Sequence, residues 1–85
     1  MSGLIKRSIT ICRHRTSIAL EKEFWDILEE MAQREQLSLA ALIIMIDSRR
    51  APDTGLASSL RVAVLKDILT RLAPSEQNKK TNYLQ

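Results

Sequence analysis

The stretch His14-Arg15-Thr16-Ser17-Ile18-Ala19-Leu20-Glu21-Lys22-Glu23-Phe24-Trp25 decides the fold. Its first half alternates apolar and polar residues, is rich in β-branched types and lacks proline, which is the pattern of a strand. From Glu21 the period changes. Phe24, Trp25, Ile27, Leu28, Met31 and Ala32 recur at helical spacing up to about Arg34, and Glu21 and Glu23 suit the positive end of a helix. A strand hands over directly to a first helix.

Upstream, Ser8-Ile9-Thr10-Ile11 also reads as extended, but the alternation slips. Ile5, Ile9 and Ile11 occupy odd positions, Ile18 and Leu20 even ones. One strand cannot keep both sets on one face, because its side-chain period is two. A bulge or a turn near Cys12 to Arg15 reconciles them.

Downstream, Ser38 is a good N-cap for a second helix, from Leu39 to about Arg50. Its apolar run Leu39 to Ile46 predicts burial on nearly all sides. Pro52 ends it, and Asp53-Thr54-Gly55 reads as a turn. A third helix follows from about Leu56 to Leu72, with Leu60, Val64, Leu65, Ile68, Leu69 and Leu72 expected on one side and Asp67 and Arg71 as an i,i+4 pair. Three segments result: a basic extended N-terminal extension (1–12), a core domain with the third helix (13–72) and a polar, disordered tail (73–85).

Composition narrows the function classes. The chain has 85 residues, 13 Lys+Arg and 10 Asp+Glu, for a net charge of +3. That small value hides a division: residues 1–20 carry +4 with no acid, and residues 21–35 carry −4. One Cys and one His exclude an intrachain disulfide and a Cys/His zinc site from a single chain. No metal and no cofactor are expected. His14 has no Cys or Asp partner at a motif spacing, and there is no Gly-rich phosphate loop, so an enzyme is not expected. The longest apolar run, eight residues, is far short of a membrane span. A reduced, cytoplasmic protein is the default. A domain this small buries only about 60% of its unfolded surface, which favours a second subunit as the missing support.

With one strand region per chain, two chains would pair their strands as an antiparallel ribbon, and such a ribbon fits the major groove of B-DNA. If Thr16, Ile18 and Leu20 face the helices, then Arg13, Arg15, Ser17 and Ala19 face outward. Arg bonds guanine O6 and N7, and Ser bonds several base edges. The alternative is that these are solvated edge charges that deter aggregation. At the second helix, Ser38 with the N–H groups of Leu39 and Ala40 suits a phosphate; the alternative there is an ordinary cap.

His14-Arg15-Thr16-Ser17, Leu20-Glu21 and Phe24-Trp25 resemble the start of a ribbon-helix-helix domain of the subfamily with an H-R-T-S…L-E…F-W signature. Leu37 to Ile43 with Ile46-Asp47, and Leu56 to Val62, resemble that subfamily's later helices, so the likeness spans roughly residues 8–69. The resemblance implies a mostly α fold with one short β-strand region: an intertwined homodimer with an intermolecular antiparallel β-ribbon and an additional C-terminal helix. It further implies a cytoplasmic, bacterial-type transcription regulator, commonly a repressor, that binds double-stranded DNA. Base contacts would come from Arg13, Arg15 and Ser17. Phosphate contacts would come from Lys6, Arg7, Lys22, Ser38, Leu39 and Ala40. The dimer core would hold Thr16, Ile18, Leu20, Phe24, Trp25, Leu28, Leu42, Ile43 and Ile46. A protein-interaction module, an antitoxin-like adaptor using the third helix and the tail, is the second expectation. Three departures stand out, the first being that the segment before Cys12 and the third helix exceed the minimal domain. Ala19 offers no hydrogen bond to a base. Gln36 stands where the family often has Gly, so the turn there would force a left-handed non-glycine residue at about 1–2 kcal/mol.

Overall fold

The computed structural model describes residues 3–72. The chain runs β1 (Leu4–Ile11), β2 (His14–Glu21), α1 (Lys22–Arg34), α2 (Leu39–Ser48) and α3 (Leu56–Leu72). The expected tail, 73–85, lies outside the described residues.

The strands form one antiparallel hairpin joined by Cys12 and Arg13. Both turn residues have positive φ, 50° and 69°, as a type I′ turn requires. Neither is the Asn or Gly that such a turn favours, so each carries left-handed strain. The two-residue turn removes the slip in alternation. It sets Ile5 opposite Leu20, Arg7 opposite Ile18, Ile9 opposite Thr16 and Ile11 opposite His14. Odd positions of β1 thus share a face with even positions of β2.

This corrects the expectation of one strand region per chain. The chain supplies two strands, paired as a hairpin, so β2 has one paired neighbour within the same molecule. Residues 4–11 are half of this hairpin.

The inner face of the hairpin lies on the helices. Ile11, Ile18 and Leu20 are buried, and so are Trp25, Leu28 and Ala32 of α1. Trp25 also anchors β1: its Nε1–H donates to the Ile5 carbonyl at 2.8 Å. The Arg7 guanidinium lies 4.7 Å from the Trp25 ring centroid and bonds Glu29 at 2.6 Å.

Helix α1 ends in a Schellman motif. Leu37 N–H donates to Ala32 O at 2.8 Å and Gln36 N–H to Gln33 O at 3.0 Å. Gln36 takes φ 58°, the left-handed residue the motif needs. Helix α2 opens on Ser38, whose Oγ accepts from Ala41 N–H at 3.0 Å. Its far end is tied to the following turn by Arg50, which donates to Thr54 O at 2.6 Å.

Two expectations about the helices change. Within one chain α2 is not buried all round: Leu42 and Ile43 are, while Ile44 is 39% exposed. On α3 the buried line is Leu60 and Val64, with Leu56, Ala57 and Ile68 packed partly against the core. Leu65, Leu69 and Leu72 face away from it, at 54%, 57% and 76% exposure. The residues expected in a dimer core are packed within one chain. Ile18, Leu20, Trp25, Leu28, Leu42 and Ile43 are buried there, and Phe24 and Ile46 are half-buried against them. Thr16 is half-buried. Helix α3 supplies much of the cover, and ion pairs hold it in place. Arg34 bonds Asp67 through both carboxylate oxygens at 2.8 and 2.9 Å. Arg71 reaches Glu30 and Asp67, each at 3.2 Å.

Two stability measurements test this account. Gln36→Gly relieves the left-handed strain, and urea unfolding should show a gain of about 1 kcal/mol; a loss would contradict the strain at this cap. Trp25→Phe keeps most of the apolar bulk but deletes the indole donor. It should cost about 1–2 kcal/mol, since the bond to β1 and part of the Arg7 stacking are lost.

Candidate nucleic-acid interface

Because the inner face of the hairpin is committed to the core, the outer face is defined by the remaining residues. From β1 it takes Leu4, Lys6, Ser8 and Thr10; from β2 it takes Arg15, Ser17, Ala19 and Glu21. Lys6 faces Ala19, Ser8 faces Ser17 and Thr10 faces Arg15. All but Ala19 and Glu21 are exposed. Between Lys6 and Ala19 this face carries two cations, three hydroxyls and no acid.

Arg15 and Ser17 lie where alternation placed them. Arg13 does not continue their row: it is the second turn residue, so it projects from the hairpin tip beside His14. Arg7 differs more. It belongs to the inner face and is engaged by Glu29 and Trp25, so it is not among the outward cations. Lys6, its neighbour, points outward because the strand period separates adjacent residues. Ser8 and Thr10 were not picked out by sequence reasoning, because their place on this face depends on the register across the turn. The slip between odd and even isoleucines was the available signal.

The ends of the hairpin are electrostatically tied. Glu21, the N-cap residue of α1, pairs with Arg61 of α3 at 3.0 Å. Its own backbone N–H and then Arg61 hold its carboxyl below the usual glutamate range. Lys22 bonds Asp26 at 2.7 Å, which keeps its ammonium above the usual lysine range. That ion pair is exposed, so it does not immobilise the cation strongly.

At α2, the Ser38 hydroxyl is already used as a cap on Ala41 N–H, and Leu42 N–H bonds Ser38 O at 3.0 Å. The N–H groups of Leu39 and Ala40 are first-turn donors of the kind that helix N-termini present to anions. Among the described residues, no group of three or more His, Cys, Asp or Glu is placed to hold a metal ion. No helix there is long and apolar enough to cross a membrane.

Comparisons with known proteins agree with this architecture. No curated protein matches the chain. Among solved structures, it is similar to an uncharacterized protein from Bordetella pertussis Tohama I. The two are 29% identical with a TM-score of 0.70, over 86% of this chain and 64% of that one. This chain therefore matches less than two thirds of that protein's length. A family model for the ribbon-helix-helix domain matches residues 4–68, from the first residue of β1 into α3. Members of this family commonly bind DNA and are typically not catalysts. The chain belongs to the ribbon-helix-helix domain family.

Proposed function

We propose that this protein is a homodimeric, sequence-specific DNA-binding transcription regulator of the repressor type, which reads the major groove with paired strands. The outer face of the hairpin, acid-free from Lys6 to Ala19, carries this reading. Arg15 and Ser17 contact base edges. Lys6, Lys22 and the first-turn amides of α2 contact phosphates. Arg13, at the tip, reaches a flanking base or phosphate. Two copies related by a two-fold axis read a palindromic site, and the family's habit of dimerising supports that step.

Binding to duplex DNA should weaken steeply with salt, each phosphate contact contributing a slope of about −0.9 in log K against log salt. Arg15→Ala should lower affinity for a selected site by about 1–3 kcal/mol while mixed-sequence DNA is affected less. Equal loss on both DNAs would reassign Arg15 to a phosphate. No loss on either would remove it from the interface. Sedimentation at micromolar concentration should give twice the 9.7 kDa chain mass.

A second reading is favoured by one observation. Val62, Leu65, Leu69 and Leu72 leave an exposed apolar row on α3, beside a hollow lined by Phe24, Arg61 and Ile68. On this reading the row docks another protein and the chain acts as an adaptor. Leu65→Glu with Leu69→Glu should then abolish co-purification of that protein and leave DNA affinity unchanged.

A further inference from the structure

The turn after α2 gathers positive charge that neither the core nor the hairpin uses. We propose that the hollow between the end of α2 and α3 binds a small organic anion, one with a carboxylate, sulfonate or phosphate group on an apolar body. This site goes beyond the DNA-binding reading and does not depend on it.

Shape is the first argument. The hollow has a volume of ≈ 480 Å³, within the range of about 300–1,000 Å³ that small-molecule sites occupy. None of its lining residues belongs to the hairpin or to α1. Ile46, Val62 and Ala63 give it apolar surface, and Ser59 adds a hydroxyl.

Charge is the second. Arg49, Arg50 and Lys66 all line the hollow, and no acid does. Cations at the end of a helix are an ordinary complement to its dipole, which suits Arg49 and Arg50. It does not explain Lys66, which comes from within α3. Like charges gathered on one concavity repel one another, and a bound anion relieves that repulsion. The nearby acids are committed elsewhere. Asp47 accepts from Arg50 Nε at 2.9 Å, and Asp53 accepts from the Thr54 hydroxyl at 3.4 Å. Among the described residues, Arg49 and Lys66 stand in no ion pair. Arg50 is fixed by Asp47 and by its 2.6 Å bond to Thr54 O, and its remaining N–H groups are left for a ligand. One cation is thus held in position, which lowers the ordering cost of binding.

The choice of occupant follows. A second copy fits poorly, because a two-fold contact sets a patch against itself, here cations against cations. A phosphate of duplex DNA matches the charge but offers little to Ile46, Val62 and Ala63. A small anion with an apolar body satisfies both halves of the hollow.

Anilinonaphthalene sulfonate is a suitable probe, and phenylnaphthylamine carries the same aromatic body without the sulfonate. Both are titrated by fluorescence into the full chain at about 0.15 M salt, where distant charges are screened. The sulfonate should bind one to one and at least tenfold more tightly than the neutral body. Arg49→Gln with Lys66→Gln, both exposed positions, should weaken the sulfonate roughly tenfold or more, as lost charge-assisted bonds imply. The neutral body should not respond. Lys6→Gln with Lys22→Gln removes the same charge elsewhere and should change sulfonate binding less than about threefold. Equal binding of the two probes to the unaltered protein would overturn the anion site, and that comparison needs no variant. Equal loss in the two double variants would reduce the effect to net charge and overturn it as well. Displacement of the sulfonate by mixed-sequence duplex would hand these cations to DNA. A chain that binds the sulfonate as expected but no duplex would keep this site and lose the DNA-binding reading.

Discussion

The constraint on which the structure depends is the length of the turn between β1 and β2. Two residues, Cys12 and Arg13, both left-handed, fix the register. Every residue of the hairpin is thereby assigned to a face. A turn one residue longer would break the pairing that sets Ile5, Ile9 and Ile11 on the side of Ile18 and Leu20. Isoleucines would move into solvent and hydroxyls into the core. The burial of Ile11, Ile18 and Leu20 against α1 is what makes the strained turn tolerable. Two left-handed non-glycine residues cost a few kcal/mol at most, and each buried large aliphatic side chain returns about 1.5–3 kcal/mol.

From that register the placement of charge follows. Lys6 and Arg7 are neighbours in sequence but lie on opposite faces. Arg7 is held, half-buried, between Trp25 and Glu29 on the inner face, and Lys6 stays on the outer side. The acids of α1 are likewise put to internal use: Glu29 takes Arg7 and Glu30 takes Arg71, while Asp26 takes Lys22. The division between a basic leader and an acidic helix is therefore only partly a division between two surfaces. It also provides the pairs that hold β1 and α3 against α1.

Much of this was legible in the residues, where the determinants are local. The helical spacing from Phe24 to Ala32, the Ser38 cap, the left-handed Gln36 and the Asp67–Arg71 pair all depend on neighbours a few positions away. The hairpin was less legible because Cys12 and Arg13 lack the chemistry that marks a type I′ turn. Only the slip in alternation betrayed it, and a bulge explained that equally well. The facing of helix α3 was hidden for another reason. It has apolar residues on two lines, Leu60–Val64–Ile68 and Val62–Leu65–Leu69–Leu72. Periodicity alone does not say which line meets the core. The ion pairs Arg34–Asp67 and Arg61–Glu21 lie where the first line faces inward. They link residues 33 and 40 positions apart, a kind of information that no local window contains.

The position of α3 also changes the argument from size. On size alone, a chain of 85 residues needs a second subunit to cover Leu42 and Ile43, yet α3 and the hairpin cover them within one molecule. The burial of these two side chains is thus accounted for within one chain. Apolar surface still remains exposed among the described residues, at Leu4 and Ile5 of β1, at Leu37 and Ile44 around α2, and along the far side of α3. In this chain the outer hairpin face, with Lys6, Ser8, Thr10, Arg15 and Ser17, is assembled by a local turn and a local register.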